Sequence, residues 1–274
     1  MTSRSRERRY FGHRLLASVF IGALFCAPAV AQVSGTIQTT EGRTVQGQIR
    51  WLAAGKKYVI MTARPGGGQF EVELQPENVA RISVPEPREL RPAIQAARGG
   101  NLNAAIPALE KIVKDYAMLQ WDEPAARALA EAQLANNNAA AAVKACETVI
   151  AANPEAAYKG SMAPIYWQAL LKSNRSAKLN ELLEEAIKKG GREASASALI
   201  LRGDMLLESK QPRDALKDGY LRVIVLYENV RTVQPEALYK AAKAFEALHQ
   251  NPNAERMRST LRSKYPNSEY ARKQ

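Results

Sequence analysis

At 274 residues the chain has room for one or two domains. Its 46% apolar and 24% charged residues are those of an ordinary soluble globular protein, rich in alanine and with only 7% aromatics. Lysine and arginine outnumber aspartate and glutamate by 39 to 27, a net charge of +12, and the single cysteine after residue 31, Cys146, excludes an intramolecular disulfide.

Residues 1–31 have the three parts of a secretory signal peptide. The basic leader "MTSRSRERRYFGHR" is followed by the apolar run "LLASVFIGALFCA". "PAVAQ" then places Ala29 and Ala31 in the small-x-small pattern that precedes cleavage. An uncleaved anchor is the rival reading, but Leu15 to Ala31 is only seventeen residues and is interrupted by Pro28, short for a bilayer. Phe25 before Cys26 disfavours lipidation. The expectation is export to the periplasm or cell envelope with cleavage near Ala31. The leader holds five basic residues and one acidic, which leaves 34 against 26 in the mature chain. That surplus is dispersed and suits association with a membrane surface. Nucleic acid, the usual partner of a basic protein, is not expected outside the cell.

Residues 33–84 read as strands. "GTIQTT", "TVQGQIRW", "KYVIMTA", "QFEVELQ" and "ARISV" are separated by turn signals at Glu41-Gly42-Arg43, Ala54-Gly55-Lys56, Arg64-Pro65-Gly66-Gly67-Gly68 and "PENV". In the fourth strand Phe70, Val72 and Leu74 share one face and Glu71 and Glu73 the other. The three glycines are followed by a strand, with no helix start, lysine or hydroxyl residue behind them, so they are a hairpin turn and not a phosphate loop. Five short strands predict a small antiparallel barrel or sandwich. Their order, with a tight helical turn before the last, resembles SH3-like and Sm-like barrels. Six basic and five acidic residues in 34–87 make it no electrostatic trap. Three prolines in "PEPRELRP" (85–92) form a linker.

From residue 89 to 270 the period is helical. The breaks "GGN", "NNN", "SNRS", "KQPR" and "QNPN" each divide two stretches of helix. The small or apolar residue after each break falls at Ala105, Ala142, Leu179, Ala215 and Ala254, at intervals of 37, 37, 36 and 39 residues. Pro154 and Pro266 lie twelve residues after Ala142 and Ala254, and Gly203 lies twelve before Ala215. Small residues at these positions let paired helices cross closely, while Leu109, Ile112, Val149, Leu183, Ala186, Leu206, Val223, Phe245 and Leu261 fill the space around them. The pattern resembles the tetratricopeptide repeat (TPR), in five units, with Trp167 and Leu179 departing from it in the third. The fold class is therefore α+β: a five-stranded barrel followed by an α-solenoid of about five TPR-like hairpins. The resemblance also bears on Arg202-Gly203-Asp204, a tripeptide shared with adhesion ligands. It lies within "ALILRGDMLLE", so Gly203 is read as a packing glycine in a helix.

The TPR resemblance implies a concave groove lined by the first helices. Its positions fall on Arg127 and Glu131, Gln168 and Lys172, Asp204 and Glu208, and Tyr239 and Lys243. The mixed signs imply a polar protein or peptide partner. Chemistry is hard to find elsewhere. His249 stands alone beside a loop, Cys146 reads as a small core hydrophobe, and Glu184-Glu185 with Lys188-Lys189 reads as a solvated i,i+4 face. Trp51 is expected to pack the barrel and Trp121 to seal a boundary between units. The expected function is a non-catalytic scaffold of the cell envelope with no cofactor and no metal. The alternatives are an accessory subunit of an envelope enzyme and an anionic-polymer-binding module.

Overall fold

The structure, a computed structural model, describes residues 32–273 apart from Pro65. The segment read as a signal peptide lies outside the described residues. Strands β1 (Val33–Thr39), β2 (Thr44–Leu52), β3 (Lys57–Ala63), β4 (Gln69–Leu74) and β5 (Val79–Ser83) form one antiparallel sheet in the order β4-β3-β2-β1-β5. A single 3₁₀ turn, Pro76–Asn78, precedes β5. Alternation sets the faces: Val33 and Ile37 of β1, Ile49 of β2, and Tyr58 and Ile60 of β3 are buried together, with Val45, Val72 and Leu74 packed at their margin. Phe70 has the same parity but lies at the start of β4, beside the hairpin turn, is 38% exposed, and holds the Arg64 guanidinium 5.8 Å from its ring centre. Gly35 and Gly47 sit opposite each other in the β1–β2 register. A Cβ on Gly47 would lie 2.2 Å from the Met61 carbonyl oxygen, so only glycine lets β2 approach β3 there.

The helices form five hairpins. They are α1 (Leu90–Arg98) with α2 (Leu102–Asp115), α3 (Asp122–Ala135) with α4 (Ala139–Ile150), and α5 (Ala163–Lys172) with α6 (Ser176–Lys189). The fourth joins α7 (Gly191–Glu208) to an interrupted helix made of α8 (Pro212–Ala215), a π turn (Leu216–Tyr220) and α9 (Leu221–Leu226). The fifth pairs α10 (Gln234–Ala247) with α11 (Asn251–Lys264), and the short α12 (Glu269–Arg272) follows. The expected α+β architecture is thus present.

Every hairpin turns in the same way. Gly100, Asn137, Asn174, Lys210 and His249 all have positive φ, between 57° and 81°. In each turn this residue donates its N–H three residues back, and the next residue donates five back, as in Asn137 to Leu134 and Asn138 to Gln133. This is the Schellman closure, which satisfies carbonyls orphaned at the helix end. Asn101 and Asn138 then cap the second helices of their hairpins by accepting from Ala104 and Ala141 N–H.

Five residues after each left-handed position lie Ala105, Ala142, Leu179, Ala215 and Ala254, all fully buried. Their partners twelve residues earlier are Ala93, Ala130, Trp167, Gly203 and Ala242, also buried. In the third hairpin the bulky Trp167 is accommodated because its indole N–H donates to the Ala157 carbonyl at 2.9 Å, in the 3₁₀ turn Pro154–Ala157. Of the expected core residues Leu206 and Phe245 are half-buried and the others are buried. Successive first helices pack on one another, α1 on α3, α3 on α5, α5 on α7 and α7 on α10.

The sheet does not stand apart from this stack. The α2–α3 loop inserts Leu119, fully buried, into the sheet's core. Met118 and Gln120 on either side of it have left-handed φ of 59° and 80°, conformations that cost about 1 kcal/mol or more for residues with a side chain. The Met118 N–H donates to the buried Asp122 carboxylate at 2.8 Å, the Tyr58 hydroxyl donates to the Met118 carbonyl at 3.3 Å, and the Trp121 indole donates to the Val84 carbonyl at 3.1 Å. Burial pushes the Asp122 carboxyl above the usual range, and burial together with the Asp122 charge pushes the Tyr58 hydroxyl up to about 12. Trp121 therefore seals the sheet to the stack, and Trp51 packs on Tyr58 with ring centres 4.8 Å apart. A five-stranded unit of this size buries too little surface for a robust core, and Leu119 completes it.

Candidate partner-binding groove

The layer of first helices carries a cleft of about 250 Å³ that spans three hairpins. α5 contributes Pro164, Trp167 and Gln168, α7 contributes Ser197, Ile200, Leu201 and Asp204, and α10 contributes Glu236 and Lys240. Gln168 and Asp204 are thus brought together, each following the small-residue position of its helix (Trp167, Gly203). Lys172 and Glu208, one turn further along α5 and α7, are exposed beyond the cleft. Arg127 and Glu131 face each other on α3 at 3.7 Å, an exposed i,i+4 pair. Tyr239 and Lys243 lie on the adjoining turns of α10, with the Lys243 ammonium 4.7 Å from the Tyr239 ring centre.

Glu236 and Lys240 were not among the residues expected from the sequence. Their signal was present: 236, 239/240 and 243 follow the helical spacing of one face, and extending that face back from Lys243 reaches Lys240 after one turn and Glu236 after two. The cleft is electrostatically satisfied. The Lys240 ammonium donates to Asp204 Oδ2 at 2.6 Å and to Glu236 Oε1 at 2.5 Å, and the Tyr220 hydroxyl donates to Asp204 Oδ1 at 2.8 Å. Burial opposes the Lys240 charge, but Asp204 and Glu236 outweigh it and hold its pKa above the ordinary lysine value. Burial and then Asp204 raise the Tyr220 hydroxyl far above the phenol range, so it stays protonated and keeps donating to Asp204. At the far end α12 lays Tyr270 on Tyr239, ring centres 5.6 Å apart, and the Tyr270 hydroxyl bonds the Glu236 carboxylate.

The same helix accounts for the Arg-Gly-Asp tripeptide. Arg202 is ion-paired to Glu184 at 2.7 Å, Asp204 is held by Tyr220 and Lys240, and a Cβ on Gly203 would lie 2.5 Å from Tyr220 Cε1. Glu184 is thereby drawn away from Lys188, while Glu185 keeps its i,i+4 pair with Lys189 at 2.8 Å.

Cys146 is fully buried, and burial pushes its thiol up to about 12, which keeps it protonated and unreactive at neutral pH. His249 is the left-handed residue of the last hairpin turn. Among the described residues no three His, Cys, Asp or Glu side chains are placed to hold a metal ion, and no helix is long and apolar enough to cross a membrane.

No family model matches this sequence, and no curated protein matches it. Among solved structures the chain is similar to a Podosopora anserina kinesin light chain with nearly identical TPR-like repeats. That match has 17% identity, 64% of this chain and 92% of that chain covered, and a TM-score of 0.49. It is also similar to MamA protein, with 13% identity, the same coverages of 64% and 92%, and a TM-score of 0.45.

Proposed function

We propose that the chain is a non-catalytic scaffold of the cell envelope that binds a polar protein or peptide along the face of α3, α5, α7 and α10. One observation carries this reading: side chains from three successive hairpins converge on a single polar cleft, beside exposed Lys172 and Glu208. Such a surface suits a ligand that runs across the helices, with pockets for separate side chains. The basic surplus of the mature chain and the leader segment support an exported setting.

Asp204 is unsuited to a binding test, because reversing its charge breaks the bonds to Tyr220 and Lys240 that hold the fourth and fifth hairpins together. The exposed set Arg127→Glu, Lys172→Glu and Lys243→Glu leaves that network intact. Affinity capture from envelope extract should recover a partner with the wild-type chain and lose it with this triple variant at unchanged thermal stability. Equal recovery by both chains counts against the groove.

A further inference from the structure

A second surface lies on the second helix of the fourth hairpin. Val225 is 69% exposed and Leu226 55%, well above Phe70, the other large apolar side chain exposed among the described residues. Both line a groove of about 550 Å³ between α9 and the α10–α11 turn, whose floor adds Leu216, Leu221, Phe245 and Leu248. Val225 and Leu226 continue into this apolar floor as one patch, and contiguous apolar patches rimmed by polar residues mark interaction sites.

The rim says what covers them. Arg213, Lys217 and Arg222 line the same groove, no carboxylate does, and none of the three forms an ion pair among the described residues. Arg213 and Lys217 are one α-turn apart. The π turn Leu216–Tyr220 then spaces the chain by five, which keeps Arg222 in line with Lys217. α9 continues the row, with Leu226 four residues after Arg222 and Val225 four after Leu221. The result is a row of cations running into an apolar trough. We propose that this groove docks an amphipathic helix of a partner protein whose apolar face is flanked by carboxylates. The groove is open and lined from two sides, by the α8–α9 segment on one and by Phe245, Leu248 and Gln250 on the other, so a helix laid along it meets apolar side chains on both and the row of cations at one edge. The π turn preserves this row: wound as a regular α-helix, the five-residue step would carry Arg222 about 140° round from Lys217. The site is separate from the first-helix groove and does not depend on it.

The test uses the full chain and two labelled synthetic peptides about four turns long. Both carry the same leucine face, one flanked by glutamates and the other by lysines, and binding is read by fluorescence anisotropy. The glutamate peptide should bind about tenfold or more tighter than the lysine peptide, and the difference should shrink with added salt. Val225→Asp/Leu226→Asp should lose binding by about tenfold or more, with an unchanged circular dichroism spectrum. The Arg127→Glu/Lys172→Glu/Lys243→Glu variant should bind the glutamate peptide as the wild type does. Equal affinity for the two peptides, binding untouched in the Val225/Leu226 variant, or loss in the groove variant alone overturns the proposal. So does failure to bind either peptide, whether the chain instead sediments with anionic vesicles, forms a concentration-dependent dimer that the Val225/Leu226 variant abolishes, or does neither.

Discussion

Replacing Gly203 by alanine probes the crossing on which the fourth hairpin is built. In an open helix this change stabilises by about 0.5–1 kcal/mol, since glycine loses more backbone freedom on folding. Here the new methyl would lie 2.5 Å from Cε1 and 2.8 Å from Cδ1 of Tyr220. The ring cannot swing aside, because Tyr220 is fully buried and its hydroxyl is tied to Asp204 at 2.8 Å. Nor can the helices slide closer, since Gly219 already stands so near Gly203 that its own Cβ would fall 2.7 Å from Gly203 Cα. Overpacking of this kind costs about 1–3 kcal/mol, and displacing the Tyr220 hydroxyl adds about 0.5–1.5 kcal/mol. Less the helix-propensity gain, the net loss is about 0.5–4 kcal/mol, a fall of roughly 2–12 °C in Tm for a chain of this size. Thermal and urea unfolding by circular dichroism measure it. Repeating Gly203→Ala in a Tyr220→Leu background isolates the ring, and there the substitution should become neutral or stabilising. A wild-type-like Gly203→Ala protein, or the same loss in both backgrounds, would falsify the argument that the ring sets this position.

Three further outcomes follow from the geometry. Leu119→Ala should cost about 2–5 kcal/mol, as for other fully buried leucines, and in hydrogen exchange the amides of β1–β5 should lose protection before those of α3–α11; uniform loss across the chain refutes the plug. Burial raises the Asp122 carboxyl in the folded chain, so the folded state holds its proton more tightly than the unfolded one and this residue's contribution to stability declines as pH climbs from about 4 through the raised value. Asp122→Asn keeps an oxygen for the Met118 N–H, so the difference in Tm between wild type and Asp122→Asn should move in favour of wild type on acidification from pH 7 toward 4, and a shift the other way counts against a strained, buried carboxylate. His249→Gly relieves a left-handed residue in an exposed hairpin turn and should raise stability by about 0.5–1 kcal/mol; a loss in denaturation midpoint would mean the imidazole does something the turn does not need.

Several features of the stack were readable before any coordinates. The small residues at 105, 142, 203, 215 and 254 announce the hairpins, because two helices can cross closely only where side chains are small, and their partners at 93, 130 and 242 emerge only in the packed stack. The breaks themselves were read, but their left-handed residue was not: it is Gly100, Asn137 or Asn174 in three turns, which tolerate positive φ at little cost, and Lys210 or His249 in the other two, which carry no such signal. The face 236–240–243 was partly read: Tyr239 and Lys243 were named, and Glu236 and Lys240 were missed. Their importance comes from Asp204 on another helix, a neighbour that spacing along one chain segment cannot supply. Leu119 was missed for a similar reason. "DYAMLQWD" reads as an inter-unit loop, and nothing in its local pattern says that its leucine belongs to the core of a sheet more than thirty residues earlier.

By itself the sequence determines which segments alternate with period two, which with the helical period, and where the repeat begins again, since these depend on side-chain size, polarity and backbone preference at each position. Tertiary structure alone decides that the α2–α3 loop completes the sheet, that Asp204 serves the packing of two hairpins as well as a cleft, and that the π turn lines up Arg213, Lys217 and Arg222 beside exposed Val225 and Leu226. Each of these depends on distances between residues far apart in the chain, and such distances exist only once all the helices have packed.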